Sequence, residues 1–171
     1  MKGLNDTFKH FLIFFGAEIL LALIIILIVR FVFCMFTIVK GGSMRESLLN
    51  GDVLLTKRYG KREIKRFDIV ICRYPGRKGR FVKRVIGMPG ERIRMEKDVV
   101  YINDEELRES FPKRSCMRCF SEVTVPQDSY FVMGDNRPSS NDSRKVGPIH
   151  KKAILARAEY VLFSIGRHRR L

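Results

Sequence analysis

The stretch "FVKRVIGMPGERI", residues 81–93, decides the fold class of this chain. Its first half is a short run of apolar side chains around Lys83 and Arg84, which predicts a β-strand, and Met88-Pro89-Gly90 then interrupts the strand. Similar short runs, bounded by Gly, Pro, Asn or Asp, lie on both sides of it. They are residues 52–59, 67–75, 98–107, 130–136 and 154–166. Many short strands separated by turns predict a mainly β domain with an antiparallel, sandwich-like sheet.

The N-terminal stretch "FLIFFGAEILLALIIILIV", residues 11–29, has a different pattern, with Glu18 as its one charge. Nineteen helical residues rise about 28 Å at roughly 1.5 Å each, close to the apolar thickness of a bilayer. A cleaved signal peptide is the alternative, but its apolar run would be shorter, and no A-x-A site follows here. The sequence therefore predicts a retained transmembrane anchor at residues 11–30, preceded by a short segment 1–10 and followed by the β domain, 31–171.

The charge of the chain is strongly positive, with 33 Lys and Arg against 18 Asp and Glu. Residues 1–40 contain four of those cations and two of the anions, a net of +2, which leaves +13 on the rest of the chain. Such a surface suits lipid headgroups or nucleic acid. The apolar stretch favours the phospholipid bilayer and argues against a soluble nucleic-acid-binding protein. Charge does not fix the orientation, because both flanks of the stretch are basic.

Residues 108–125 form the least regular part of the chain and contain the C-x-x-C pair Cys116 and Cys119. One such pair cannot complete a tetrahedral zinc site. A disulfide and two free loop thiols both remain open. We expect this stretch to be an irregular insertion.

Ser43, in "KGGSMRESLLNGD" at residues 40–52, has two interpretations. With Glu46 three residues later and apolar residues after it, Ser43 matches a helix-capping box. Between two glycines and a methionine, its hydroxyl could instead lie open to a substrate as a nucleophile. No histidine is well placed to activate it, since His10 and His168 lie near the two ends and His150 adjoins lysines.

Lys83 is a candidate base. Strand alternation places it on one face with Phe81 and Val85, while Arg84 points to the other face. Burial in an apolar site can lower the pKa of a lysine enough for the amine to be neutral. An ordinary solvated strand lysine is the alternative.

The stretch "MGDNRPSSNDSRKVGP", residues 133–148, is dense in turn-forming residues. Asp135 and Asp142 lie beside Arg137 and Arg144, and buried ion pairs between such side chains would fix the loop rigidly. The serines of this loop could orient a nearby lysine. A plain surface loop remains the alternative.

Together these stretches resemble the motif boxes of type I signal peptidases, most closely the Gram-positive bacterial kind. "GGSM" at 41–44, "GDVLLTK" at 51–57, "FVKRVIGMPGE" at 81–91 and "GDNRPSSNDSR" at 134–144 match in order and spacing. The resemblance spans roughly residues 11–165 and fails only in the 108–125 insertion.

The resemblance implies a Ser–Lys dyad that needs no cofactor and no metal. Ser43 takes the position of the nucleophile and Lys83 that of the general base, and Ser140 matches the serine that hydrogen-bonds the lysine. Asp142 and Arg144 match a structural ion pair. Asp135 and Arg137 support the same loop.

Some residues beside Ser43 depart from the family pattern. One oxyanion donor is the Ser43 N–H, but the serine that often supplies the second is replaced here by Gly41. The second donor would then be a backbone N–H freed by Gly41 and Gly42. Glu46 and Ser47 replace the usual Pro-Thr, Lys40 replaces a proline, and the Glu46 carboxylate could favour the charged form of Lys83.

Relatives bind an extended signal peptide against a strand edge, with small side chains in shallow pockets. The corresponding wall residues here are Thr37, Val39, Met44, Leu54 and Val82, for which core packing is the alternative. The expected partners are signal-peptide-bearing preproteins and the phospholipid bilayer, with no nucleic acid. The expected protein is a single-pass monomer in the plasma membrane, with residues 1–10 cytoplasmic and the catalytic domain extracytoplasmic.

The function that follows is removal of signal peptides from exported preproteins by a serine endopeptidase. One rival is a Ser–Lys protease with a narrow set of precursors. The other is a catalytically weak paralogue that acts as a basic membrane-surface binding domain.

Overall fold

The computed structural model describes residues 2–32, 35–59, 63–115, 119–164 and 169–170. The chain divides into two compact units, Met1–Met35 and Phe36–Leu171. The first unit contains one long helix, α1, Lys2–Val32. Within α1, Phe8–Ile28 has a mean hydropathy of 3.0, so by length and composition it could cross a membrane.

The second unit is built mainly from β-strands. They are β1 Met35–Ile38, β2 Val53–Arg58, β3 Ile69–Cys72, β4 Phe81–Gly87, β5 Arg92–Glu96, β6 Val99–Ile102, β7 Glu105–Glu106, β8 Phe120–Thr124, β9 Ser129–Met133, β10 Ile149–His150, β11 Ile154–Phe163 and β12 Arg169–Arg170. A four-residue helix, α2 Ser143–Val146, and single 3₁₀ turns at Arg137–Ser139 and Lys151–Ala153 complete the described elements.

The strands form two antiparallel sheets. The larger sheet has the order β1-β2-β11-β3-β4-β9-β10, with β12 paired to β11, and the smaller has the order β7-β6-β5-β8. The predicted fold class, mainly antiparallel β with one apolar N-terminal helix, is confirmed.

Strand β4 joins the parts of the core, because its side chains enter three separate apolar clusters. Val82 packs in the first cluster, around Met44 and Leu54. Val85 packs in the second cluster, and Ile86 packs in the third, between the two sheets. The alternation expected from "FVKRVIG" is therefore present, and it gives Lys83 and Arg84 different surroundings.

The stretch 108–125 is more ordered than the sequence predicted. Residues 120–124 form β8, which pairs with β5, and Phe120 and Val123 pack against the third cluster. Charged and polar residues between these apolar ones conceal the strand pattern. Cys119 is exposed and carries a free thiol, which favours the free-thiol alternative, and Cys116 lies outside the described residues.

Candidate active site

Ser43 lies in a tight turn at one border of the large sheet. The Leu48 N–H donates to the Met44 carbonyl at 2.6 Å, and both side chains are buried in the first cluster. These apolar anchors fix the turn, which ends before it can become a helix. The Ser43 hydroxyl accepts a hydrogen bond from Lys83, so it pairs with a side chain 40 residues away and does not cap a helix.

Lys83 is buried, with only 3% of its surface exposed. Its Nζ donates to Ser43 Oγ at 2.7 Å and to the Val82 carbonyl at 2.9 Å. Burial lowers the pKa of Lys83, and the neighbouring Cys72, Asp142 and Asp135 only partly oppose that effect. The geometry thus joins a hydroxyl to an amine whose neutral form is favoured, as a nucleophile and its base require.

Asp142 and Arg144 form the ion pair that the sequence predicted. Arg144 donates through Nε and Nη2 to the two carboxylate oxygens, each at 2.8 Å. Burial acts to raise the pKa of Asp142, but Arg144, Ser140 and the Gly134 N–H together lower it below the ordinary value. Because Asp142 also caps α2, the pair fixes the end of the 134–144 loop.

Asp135 pairs with a residue that the sequence did not single out as a partner. Arg84 donates to its carboxylate from Nε at 2.9 Å and from Nη2 at 2.7 Å. Arg84 also donates to Ser47 Oγ at 3.1 Å and to the Phe67 carbonyl at 3.0 Å. Arg84 therefore links the 134–144 loop to the Ser43 turn from the face of β4 opposite to Lys83.

Arg137 forms its ion pair with a carboxylate of the 108–125 stretch. It is fully buried and pairs with Glu109, whose side chain is also buried. The expectation that Asp135 and Arg137 support one loop holds for their location, but each pairs with a residue outside that loop. Sequence reasoning missed Glu109, because nothing in an irregular segment marks one carboxylate as buried.

Asn136 is a second residue that sequence reasoning missed. Its N–H donates to the Ser43 carbonyl at 3.0 Å, and its side-chain Nδ2 donates to the Gly42 carbonyl at 2.8 Å. Next to it, a Cβ on Gly134 would lie 2.5 Å from the Ser43 carbonyl oxygen. The 134–144 loop thus binds the backbone of the Ser43 turn through two hydrogen bonds and packs closely against it at Gly134.

Ser140 is buried near these groups but does not make the expected bond. Its Oγ is buried without a hydrogen-bond partner of standard geometry among the described residues, although Ser140 helps to lower the pKa of Asp142. A role for Ser140 in orienting the lysine stays a prediction.

Three backbone N–H groups, those of Gly41, Gly42 and Ser43, are the candidate oxyanion donors, and one of them already has a partner. Gly41 has a φ of +90°, and its N–H donates to Asn50 Oδ1 at 2.9 Å. That bond occupies the Gly41 donor. Ser43 and Gly42 therefore stay as the predicted donors.

The five predicted wall residues are mostly part of the core. Val39, Met44, Leu54 and Val82 all belong to the first cluster, so core packing accounts for their burial, and their contact with substrate stays a prediction. Thr37 differs, because its hydroxyl is buried without a hydrogen-bond partner. On the same strand, Phe36 and Ile38 expose about half of their surfaces, and β1 is at the edge of the large sheet.

Comparison with known proteins gives one consistent family. Residues 12–163 match the model of the family described as signal peptidase, peptidase S26. "Signal peptidase I P" of Bacillus subtilis subsp. natto is 37% identical over 88% of this chain and 89% of that protein. "Signal peptidase I S" of Bacillus subtilis strain 168 is 33% identical over 99% of both chains. A solved signal peptidase I from Enterococcus faecalis V583 gives a TM-score of 0.46 at 30% identity, over 54% of this chain and 94% of that one.

Proposed function

The chain belongs to the peptidase S26 family of signal peptidases, and we therefore propose that it is a membrane-anchored serine endopeptidase that removes signal peptides from exported preproteins. The observation that carries the proposal is the 2.7 Å contact between buried Lys83 Nζ and Ser43 Oγ. A binding domain has no need of a buried lysine whose pKa is lowered beside a serine hydroxyl.

The reaction begins with proton transfer inside this pair. Neutral Lys83 takes the Ser43 proton while Oγ attacks the scissile carbonyl carbon. The N–H groups of Ser43 and Gly42 stabilise the resulting oxyanion. The ammonium of Lys83 then returns a proton to the leaving amine as the C–N bond breaks, which leaves an acyl-enzyme on Ser43.

Hydrolysis of the acyl-enzyme repeats the sequence with water. Lys83, neutral again, removes a proton from the attacking water and returns it to Ser43 Oγ as the acyl bond breaks. One lysine thus acts as base and acid in both halves, and its lowered pKa makes the neutral base form available at a lower pH than for an ordinary lysine.

Substrate binding uses the edge of the large sheet. β1 lies at that edge, so an extended peptide can add to it through main-chain hydrogen bonds. The apolar stretch Phe8–Ile28 supplies a single-pass anchor in the plasma membrane, which concentrates the extracytoplasmic enzyme with its membrane-bound substrates. The enzyme acts as a monomer.

The test is cleavage of a panel of preproteins by the full chain in lipid vesicles. Wild type is compared with Ser43→Ala, Lys83→Met and the matched control Lys65→Met, which changes an exposed lysine. We expect wild type and the control to cut, and the two dyad variants to lose at least about a thousandfold in kcat/KM.

Each other outcome has a definite meaning. Equal cutting by the dyad variants would remove the Ser–Lys assignment. Cutting of one precursor class alone would indicate a narrow processing protease, and no cutting by wild type would leave the weak paralogue.

A further inference from the structure

Residues 109–114 lie against the loop that holds the nucleophile turn. This segment belongs to the stretch in which the chain departs from its motif resemblance. Three of its residues contact three residues of the active-site framework: Glu109 contacts Arg137, Phe111 contacts Arg84, and Arg114 contacts Asp135.

The first contact is an ion pair closed off from solvent. Glu109 is 1% exposed at its side chain and Arg137 is 0% exposed. Arg137 donates to both carboxylate oxygens, and Lys113 donates to one of them from the segment itself. The Arg137 Nε then donates to the Gly134 carbonyl at 3.2 Å. Glu109 therefore sets the position of a guanidinium that in turn holds Gly134.

The second and third contacts reach both members of the Arg84–Asp135 pair. The Phe111 ring centroid lies 4.0 Å from the guanidinium carbon of Arg84, and the ring meets Phe67 edge-on at 5.4 Å. The Arg114 N–H donates to the Asp135 carbonyl at 2.9 Å. Stacking fixes the plane of the guanidinium, and the backbone bond fixes the loop that carries its carboxylate.

Arg84, Asp135 and Arg137 each connect to the Ser43 turn, either by a direct hydrogen bond or through the neighbouring Asn136. Asn136, between Asp135 and Arg137, donates to the carbonyls of Ser43 and Gly42. Arg84 donates to Ser47 Oγ. A displacement of 109–114 would thus pass through Asn136 and Arg84 to Ser43.

We propose that residues 109–114 form a strap that positions the nucleophile turn, with Glu109 and Phe111 as positioning residues for the reaction of Ser43. The activity test of this proposal rests on the proposed function. A buried ion pair is weak evidence for stability alone, since an apolar pair of similar volume can serve as well. Attack geometry is less tolerant, because a displacement of about 1 Å can reduce the rate roughly a hundredfold.

The activity test compares Glu109→Gln and Phe111→Leu with the control Glu106→Gln, which neutralises an exposed carboxylate on β7. The full chain in vesicles is assayed on a preprotein that wild type cuts. We expect Glu109→Gln to lower kcat about 10- to 100-fold with KM within about twofold, because geometry at Ser43 changes and substrate binding does not. We expect Phe111→Leu to lower kcat in the same direction, and Glu109→Asp, which keeps the charge, to recover part of the loss.

The second readout does not depend on cleavage. Amide hydrogen exchange is measured by mass spectrometry on peptides covering residues 41–47 and 134–137. Loss of the strap is expected to speed exchange there, including at the Asn136 N–H that bonds the Ser43 carbonyl, while β5 and β6 exchange as in wild type.

The outcomes separate this proposal from the proposed function. If wild type cuts no preprotein, the proposed function fails, and the exchange experiment still decides the strap. If Glu109→Gln does not fold, Phe111→Leu and Glu109→Asp carry both measurements. Folded strap variants with the kcat and exchange of the Glu106→Gln control would overturn the proposal.

Discussion

Lys83 reaches Ser43 from the centre of a strand, with its Nζ 2.7 Å from Ser43 Oγ and only 3% of the residue exposed. Strand β4 holds the Lys83 side chain in a fixed position, and the apolar surroundings lower the pKa of Lys83. Burial is the largest cause of the lowered pKa of Lys83, while Cys72, Asp142 and Asp135 act in the opposite direction.

The first prediction concerns the pH dependence of the reaction. Because the pKa of Lys83 lies below the ordinary value of 10.5, kcat/KM is expected to rise with pH through an acid limb whose midpoint is below that value. Lys83→Arg should be inactive over the whole range, since a guanidinium keeps its proton. Measurement of kcat/KM between about pH 5 and 11 checks this, and a midpoint at the ordinary lysine value would contradict it.

The second prediction concerns stability and has a definite sign. Lys83 has a lower pKa folded than unfolded, so between those two pKa values the unfolded state binds more protons. The free energy of unfolding of wild type therefore rises with pH across that window. Lys83→Met lacks this dependence, and we expect it to be more stable than wild type at pH 7, with the difference shrinking towards pH 10.5. Denaturant unfolding of both proteins at several pH values measures the difference, and a gap that widens with pH would be the wrong sign.

The third prediction concerns the Arg84–Asp135 pair. Asp135→Asn leaves the buried Arg84 guanidinium without its carboxylate, which typically destabilises a protein by about 3–5 kcal/mol. The matched control is Asp104→Asn, which removes an exposed carboxylate that pairs with Arg92 at 2.6 Å and with Arg94 at 3.7 Å. We expect that control to change the free energy of unfolding by less than about 1 kcal/mol. Equal losses in the two variants would show that the burial of Arg84 is not what matters.

Sequence reasoning found the parts of the site whose partners are close in the chain or in a regular strand. The ion pair of Asp142 and Arg144 joins residues only two positions apart, and the place of Lys83 follows from alternation along β4. Arg84–Asp135 and Arg137–Glu109 span 51 and 28 residues, and no periodicity indicates which charges meet at such separations. The fold class was predictable because short strands and turns are local features, whereas the strap depends on packing between distant segments.

The fourth prediction concerns Gly134. A Cβ at this position would lie 2.5 Å from the Ser43 carbonyl oxygen and 2.7 Å from Ser140 Cβ, so Gly134→Ala must move the nucleophile turn or the loop. We expect kcat to fall about a hundredfold. Gly87→Ala is the comparison, because its Cβ would lie 2.9 Å from Phe131 Cβ within the third cluster. Both variants should lose stability in thermal unfolding, but only Gly134→Ala should lose most of its kcat, and the reverse pattern would contradict this role of Gly134.

The fifth prediction concerns the position at which many relatives carry a second oxyanion donor. Gly41 has a φ of +90°, which L side chains rarely adopt, although no atom lies within 4 Å of a Cβ built there. Gly41→Ser would therefore strain the backbone by about 1–3 kcal/mol without a steric clash. The strain acts on the turn that presents Ser43, and we expect kcat to fall rather than rise. Gly42→Ala is the matched variant, because it keeps its N–H, and its nearest contact, Arg45 Nε, is at an ordinary 3.9 Å. An increase in kcat for Gly41→Ser would contradict this expectation and show that a hydroxyl at position 41 can stabilise the oxyanion.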